Sequence, residues 1–389
     1  MHLVNKDVVT KVAIISPFPP PIEGVGEHTR NLAEAWVALG CDVLVVAPGH
    51  GEYEELEVDR GFRVVRELRP FSRRWARRVI DNFAPDLVYT QFAIATLTTN
   101  FFSALDLSRR ARRKGSRTAM GFHEPVRELA LLGPIGTLLY RSGVRVADVS
   151  FVFSTAAAES MHAKGVTSDA IYVPLGTPTL SEVHERDVSR VRLRYGLENS
   201  AVVLSLGFIH PDKGLSVLLD AATRVSIEAK RPVKFLIAGE PRKRNGVFRF
   251  MGQIDQRLFL SLKDRAASLA ESVDIEFSGF VPVEDIAPLL KASTVMALAY
   301  TNATQSATAS LASAAGVPVV ATDLPGLREA LGEGAIYVSP GDADALASAL
   351  AKILNDDHLR ATLVTEIDQL RHDGTYTAIA ARILGAAIA

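Results

Sequence analysis

Cysteine is almost absent: Cys41 is the one thiol in a chain of 389 residues. That excludes a disulfide scaffold, a cysteine-built zinc site and an iron–sulfur cluster, and it suits a reducing compartment. Net charge is nearly absent too, because 43 Lys and Arg stand against 44 Asp and Glu, for a formal charge of -1. Nucleic-acid binding driven by net charge is therefore not expected. Long apolar runs are also missing. The longest candidate, residues 129–140 (LALLGPIGTLLY), falls short of the roughly 20 residues of a spanning helix and is interrupted by Gly133, Pro134 and Gly136. Residues 1–10 carry Lys6 and Asp7, and the apolar run at 12–15 is too short for a secretory signal. The expectation is a chain that crosses no membrane but can rest on one. No repeat of fixed period points to a solenoid. No Ser–His–Asp arrangement suggests itself, and His162 and His358 read as surface histidines.

What is present is ordinary for a globular protein: 48% hydrophobic and 22% charged residues, in a chain long enough for two cores. The run VAIISPF (12–18) is continuous, β-branched and stopped by prolines, the pattern of a buried parallel strand. A loop at 19–26, a helix at 27–40 ending in Gly40 and a strand at 41–48 complete a strand–loop–helix–strand unit, the opening of a doubly wound α/β domain. Further strands are expected at 86–92, 117–123, 149–154 and 171–176. The polar stretch 177–190 reads as a boundary. The second half repeats the logic, with strands at 201–207, 233–239, 275–281, 294–300 and 317–323, and the apolar 375–389 forms a last helix.

Charge is uneven along the chain. Residues 1–59 hold 3 Lys or Arg and 10 Asp or Glu, whereas residues 60–117 hold 14 and 4. The basic clusters are Arg73, Arg74, Arg77 and Arg78, then Arg109, Arg110, Arg112, Arg113 and Lys114. They read either as solvated helix faces or as a patch facing an anionic membrane or acceptor.

Ligands of open α/β sheets bind beyond the carboxyl ends of the strands. Two loops there suit phosphate. In IEGVG (22–26), Gly24 and Gly26 let backbone N–H groups approach an anion in front of a helix. In GFIHPDKG (207–214), Lys213 sits beside a helix start, the wrong end of the helix dipole for a cation unless an anion lies near.

The motif order PPxxEGVGEH, GFHEP, VPLG, GFIHPDKG, GVPVVATDLPGLREAL and SPGDADALASAL resembles the family-4 retaining glycosyltransferases of the GT-B fold, over nearly the whole chain. The resemblance implies two Rossmann-like domains facing a cleft: residues 1–180 for the acceptor, residues 181–374 for a nucleotide-sugar donor, and a helix at 375–389 crossing back to the first domain. It implies transfer of a sugar from that donor to an acceptor hydroxyl with retention, with no bound metal and no cofactor. It gives Gly24 and Gly26 to the loop approaching the donor phosphates, His123 to the active-site histidine position in a cleft, and Lys213 to the pyrophosphate lysine.

The departures are specific. Phe208 stands where the family usually has arginine. The family's two glutamates fall, by an ungapped count back from Gly316-Val317-Pro318, at Ala303 and Leu311. Apolar side chains cannot accept sugar or ribose hydroxyls. The replacing segment, 301–313, is rich in hydroxyls; Thr304, Gln305 and Ser306 are expected to cradle phosphate at a helix start, with Thr308 a donor or acceptor contact and Ser310 in the same segment. Glu240, Arg242, Lys243 and Arg244, in the loop after the strand 233–239, border the expected cleft as donor or acceptor contacts. Asp342-Ala343-Asp344 matches a metal-binding D-x-D but follows a proline–glycine turn and precedes a helix pattern, so it reads as an N-cap. Glu329 reads as structural. The expected partners are a nucleotide-sugar and an acceptor that is lipid-linked or membrane-proximal, as the basic region and LALLGPIGTLLY suggest, with work in the cytoplasm or at the inner membrane face. A GT-B pseudoenzyme that binds a nucleotide or a partner, and a sugar-nucleotide epimerase, are the competing readings. Donor base, sugar, acceptor and oligomeric state stay open at this point.

Overall fold

A computed structural model describes residues 9–19, 24–49, 57–69, 74–97, 100–178, 180–242, 249–303 and 306–388. The chain divides into two compact units, residues 1–176 with 374–389, and residues 177–373.

In the first unit the elements are β1 (Lys11–Ile15), α1 (Gly24–Ala38), β2 (Asp42–Pro48), β3 (Glu57–Asp59), β4 (Phe62–Leu68), α2 (Arg74–Phe83), β5 (Leu87–Phe92), α3 (Ile94–Leu97), α4 (Phe101–Arg113), β6 (Arg117–Phe122), α5 (Pro125–Val146), β7 (Val149–Val152), α6 (Thr155–Ala163) and β8 (Ile171–Tyr172). They build a sheet of order β3-β4-β2-β1-β5-β6-β7-β8. Its ladders are parallel except β3 with β4. In the second unit the elements are α7 (Glu185–Arg194), β9 (Ala201–Leu206), α8 (Leu215–Glu228), β10 (Val233–Ala238), α9 (Arg249–Ser268), β11 (Asp274–Gly279), α10 (Val283–Ala292), β12 (Val295–Leu298), α11 (Ala307–Ala315), β13 (Val319–Thr322), α12 (Pro325–Leu331), β14 (Ala335–Val338), α13 (Ala343–Asn355) and α14 (Asp357–Asp373). Their sheet is wholly parallel, in the order β11-β10-β9-β12-β13-β14. Strand order therefore reverses beside β1 in one unit and beside β9 in the other, where crevices open at the strands' carboxyl ends.

Strands buried on both faces explain the continuous apolar runs. Every residue of β5, β9 and β10 is buried, including Thr90, Gln91, Ser205 and Lys234. Two apolar clusters line the two faces of each sheet, one holding Ile15, Val88, Phe92 and Tyr140 and its opposite holding Ile14, Trp36, Tyr89 and Phe151. The last helix, α15 (Tyr376–Ile388), belongs to the first unit. Its apolar face (Tyr376, Ile379, Ala380, Ile383) joins that second cluster, Trp36 Nε1 donates to the Ala380 carbonyl at 3.0 Å, and Arg117 Nε donates to the Ala387 carbonyl at 3.0 Å.

Three sequence expectations change. The first helix begins at Gly24, so Gly24 and Gly26 lie in its first turn and not in a loop before it. Thr29 Oγ1 bonds back to the Val25 carbonyl at 2.8 Å and Asn31 Nδ2 to the Glu27 carbonyl at 2.9 Å, which fastens a turn that two glycines would otherwise weaken. The polar stretch at 177–190 is partly helical, because α7 starts at Glu185. That helix buries only Val191 and is anchored by charge: Arg190 and Arg194 both reach the fully buried Asp285 of α10, at 2.5 and 2.6 Å. The structure also adds strands β3, β4 and β14 to those expected.

Candidate functional site

Residues of the first unit gather round a buried histidine pair. His123 follows β6 at the carboxyl edge of the sheet and is 5% exposed. The sequence had suggested a histidine open to a cleft, but the ring stacks on Phe153 with centroids 4.5 Å apart and lies edge-on to His28 at 5.1 Å. Its Nε2 meets Gln91 Oε1 of β5 at 2.5 Å. A carbonyl oxygen accepts, so Nε2 carries the proton. Burial, and then the neighbouring His28, hold its pKa well below the ordinary histidine value. His28, on α1, is equally buried and its pKa falls to about 3 through desolvation. Its Nδ1 pairs with the Tyr376 hydroxyl at 2.9 Å, and Asn31 hydrogen-bonds the same hydroxyl. Both imidazoles are neutral at physiological pH, suited to directing hydrogen bonds and not to carrying charge. Among the described residues, His28 Nε2, Gln91 Nε2 and the Tyr89 hydroxyl are buried without a hydrogen-bond partner. Tyr89 and Gln91 both crowd the space a Cβ on Gly121 would need. Buried unsatisfied groups of this kind cost about 1–3 kcal/mol each.

In the second unit the site is built around Lys213. After β9, Gly207 turns with φ of 118°, and a single 3-10 turn, Pro211–Lys213, runs into α8 through Gly214. Gly214 has φ of 60°, and a Cβ there would overlap the Ala299 carbonyl, so only glycine allows this approach. The loop is tied to the segment after β12 by Thr301 N donating to the Asp212 carbonyl at 3.0 Å. Lys213 Nζ thereby comes within 2.5 Å of the Tyr300 hydroxyl and 3.9 Å of that ring's centroid. Burial alone would raise the Tyr300 pKa. The Lys213 charge and hydrogen bonds from Lys213, Thr308 and Ser306 outweigh it and lower the pKa. Ser306 also caps α11, accepting from the Ala309 amide at 3.1 Å. The space over Gly207 is lined by Thr308 Oγ1 and Lys213 Nζ, 3.4 and 3.9 Å from where a Cβ would sit. An ammonium, two hydroxyls and a helix N-terminus thus converge at the crevice beside β9, a donor set suited to an anion.

Lys213, Ser306 and Thr308 lie together around Tyr300. Thr304 and Gln305 lie outside the described residues, as do Lys243 and Arg244. The Glu240 carbonyl accepts from the Ile209 amide at 3.0 Å, and the Arg242 guanidinium lies 5.5 Å from the centroid of the Phe208 ring, so this loop abuts the Lys213 loop and sets a cation beside it. Ala303 and Leu311 pack on the apolar core of their unit. Asp342 caps α13, accepting from the Ala345 amide at 2.8 Å. His162 and His358 are exposed. Part of the basic run is paired: Arg110 and Lys114 with Asp81, both at 2.7 Å, Arg77 with Asp106 at 2.6 Å and Arg112 with Asp148 at 2.7 Å.

Sequence reasoning missed His28, Gln91, Tyr300 and Tyr376. The first two sit inside stretches read for apolar periodicity alone. The signal for Tyr300 was its place at the end of a strand run, just before the hydroxyl-rich segment.

Comparison with known proteins agrees with this architecture. A family profile described as "Glycosyl transferase 4-like domain" matches residues 23–176, and one described as "Glycosyl transferases group 1" matches residues 200–356. The chain is 27% identical to D-inositol 3-phosphate glycosyltransferase of Corynebacterium urealyticum, covering 91% of this chain and 89% of that one. It is 26% identical to phosphatidyl-myo-inositol mannosyltransferase of Mycolicibacterium smegmatis, covering 96% and 92%. Among solved structures, sucrose-phosphate synthase from Thermosynechococcus elongatus superposes with a TM-score of 0.72 at 18% identity, covering 97% of this chain and 98% of that one. HepE of Anabaena, in complex with UDP-glucose, superposes with 0.70 at 17% identity, covering 97% and 98%. One profile on each unit, two largely parallel sheets in this strand order and likeness to such structures over 97% of the chain have one reading: the chain belongs to the family-4-like glycosyltransferases of the GT-B fold.

Proposed function

We propose that the protein transfers a sugar from a nucleoside-diphosphate sugar to an acceptor hydroxyl, with retention of anomeric configuration and without a metal. The observation that carries this reading is the convergence of Lys213, Ser306 and Thr308 at the N-terminus of α11. Those groups supply the positive potential that a departing diphosphate needs. The bond from the anomeric carbon to the phosphate oxygen breaks, and the acceptor oxygen bonds to that carbon on the same face. The acceptor proton passes to the leaving phosphate, so no protein nucleophile is required. Arg242, beside Phe208, brings a second cation to the donor loop.

The acceptor is proposed to lie at a membrane surface, with the enzyme peripheral to the inner face. No helix among the described residues is long and apolar enough to cross a membrane. On α5, however, Leu131, Ile135 and Leu138 are 75%, 67% and 62% exposed, and exposed Arg127, Arg141 and Arg145 share the helix. Two relatives named as phosphatidylinositol-directed mannosyltransferases support the same acceptor class.

The test is turnover of a panel of UDP-, GDP- and ADP-sugars with added acceptors, in EDTA, with the product anomer read by NMR. Transfer with retention that persists in EDTA supports the proposal. Inversion or a metal requirement overturns the mechanism. Nucleotide binding without any turnover indicates a pseudoenzyme.

A further inference from the structure

Lys213 has more hydrogen-bond donors than it uses among the described residues. Its Nζ donates to the Tyr300 hydroxyl oxygen at 2.5 Å. An ammonium carries three N–H groups, so two remain for another acceptor. Such a set is matched to a group more negative than a phenol.

Tyr300 is also the best-fixed member of the cluster. It is 3% exposed, and its carbonyl accepts from Thr322 Oγ1 of β13 at 2.7 Å. Its backbone neighbours clasp the Lys213 loop on both sides, through Thr301 to Asp212 and through Ala299 against Gly214. Lys213 itself hangs on a flexible four-carbon stem, whose rotamer freedom has to be given up whenever it binds.

We propose that Tyr300 is a positioning residue for Lys213: its hydroxyl holds the ammonium at the N-terminus of α11 and leaves the remaining N–H groups for the terminal phosphate of a nucleoside diphosphate. The inference rests on the reading of Lys213 as the donor-phosphate lysine. It adds that the lysine is ordered before the donor arrives, by a phenol that marks the place beside the phosphate. Preorganising the cation strengthens binding without a new contact to the nucleotide.

The experiment is calorimetric titration of wild type, Tyr300→Phe, Lys213→Met and the double variant with UDP, GDP and ADP and the matching monophosphates. Tyr300→Phe is expected to weaken the preferred diphosphate about tenfold and to leave the monophosphate within about twofold. In the Lys213→Met background, read at millimolar ligand, it is expected to do nothing more, because the phenol acts through the lysine. Unchanged diphosphate affinity in Tyr300→Phe, equal losses for diphosphate and monophosphate, or additive losses in the double variant overturn the proposal while leaving the phosphate site standing. Wild type that binds no diphosphate removes the phosphate site and the proposal together. Should Tyr300→Phe lose its native circular dichroism, Tyr300→His, which keeps a ring with a hydrogen-bonding atom, reads the same coupling and is expected to produce a smaller loss with the same diphosphate selectivity.

Discussion

His28 and His123 are neutral because their surroundings forbid charge, and stability records it. An unfolded histidine takes up a proton as pH falls through about 6.5, whereas these two resist until far lower, His28 until about pH 3. Below about pH 6.5 the unfolded chain therefore binds more protons than the folded one, and stability is lost as pH falls. Each such histidine contributes a slope of about 1.4 kcal/mol per pH unit. In urea titrations from pH 7 to pH 5, His28→Gln is expected to lose stability more gently on acidification than wild type, by about one such slope. Parallel acid slopes in the two proteins contradict this account. At this scale the glycine-rich turn marked the place of Lys213 beside a helix start, whereas the histidine that closes a strand, His123, reads as open to a cleft and is instead 5% exposed. The sequence was opaque where a polar side chain is buried by packing. His28 reads as one more residue of a helix, and only the fold brings Tyr376 back to it from 348 positions away.

Elements follow from local patterns wherever one pattern dominates. The runs at β1, β2, β5, β9 and β10 are apolar because both faces of each strand are covered, and continuity of that kind survives without knowledge of the partners. The pair β3 and β4 lacks it: β4 alternates with charge in FRVVREL, and β3 is three residues long. The helix α7 hides for a related reason, since its stability lies in Asp285, about ninety residues downstream, and not in its own apolar face. The kinked α5, with Gly133 at φ of 52° and Pro134 inside, keeps its apolar residues exposed on the same helix as three arginines. An interfacial helix gains from both features on an anionic surface. Co-sedimentation with phosphatidylserine-containing vesicles is expected to exceed that with neutral phosphatidylcholine, and Leu131→Ser with Ile135→Ser is expected to lower it several-fold. Equal recovery on both vesicles would remove the membrane-surface acceptor from the proposed function.

For the whole molecule, the same topological device appears twice. Each unit places its candidate chemistry at the carboxyl edge where strand order reverses, the neutral histidines in one and the lysine cradle in the other. The lysine side of that duplication was legible from a glycine turn after an apolar run, and Ala303 and Leu311, at the positions of the two glutamates, are packing residues while Ser306 and Thr308 stand at the start of α11. Donor binding rests on the lysine cradle. The most direct measurement is the thermal shift of the purified protein against UDP, GDP, ADP and their sugars without metal, repeated with Lys213→Ala. A ligand that binds only the native state raises the melting temperature by mass action. A clear shift with one nucleoside diphosphate and its sugar, lost in Lys213→Ala, is expected. A well-folded protein that shifts with none of them, or that shifts equally without Lys213, contradicts that expectation.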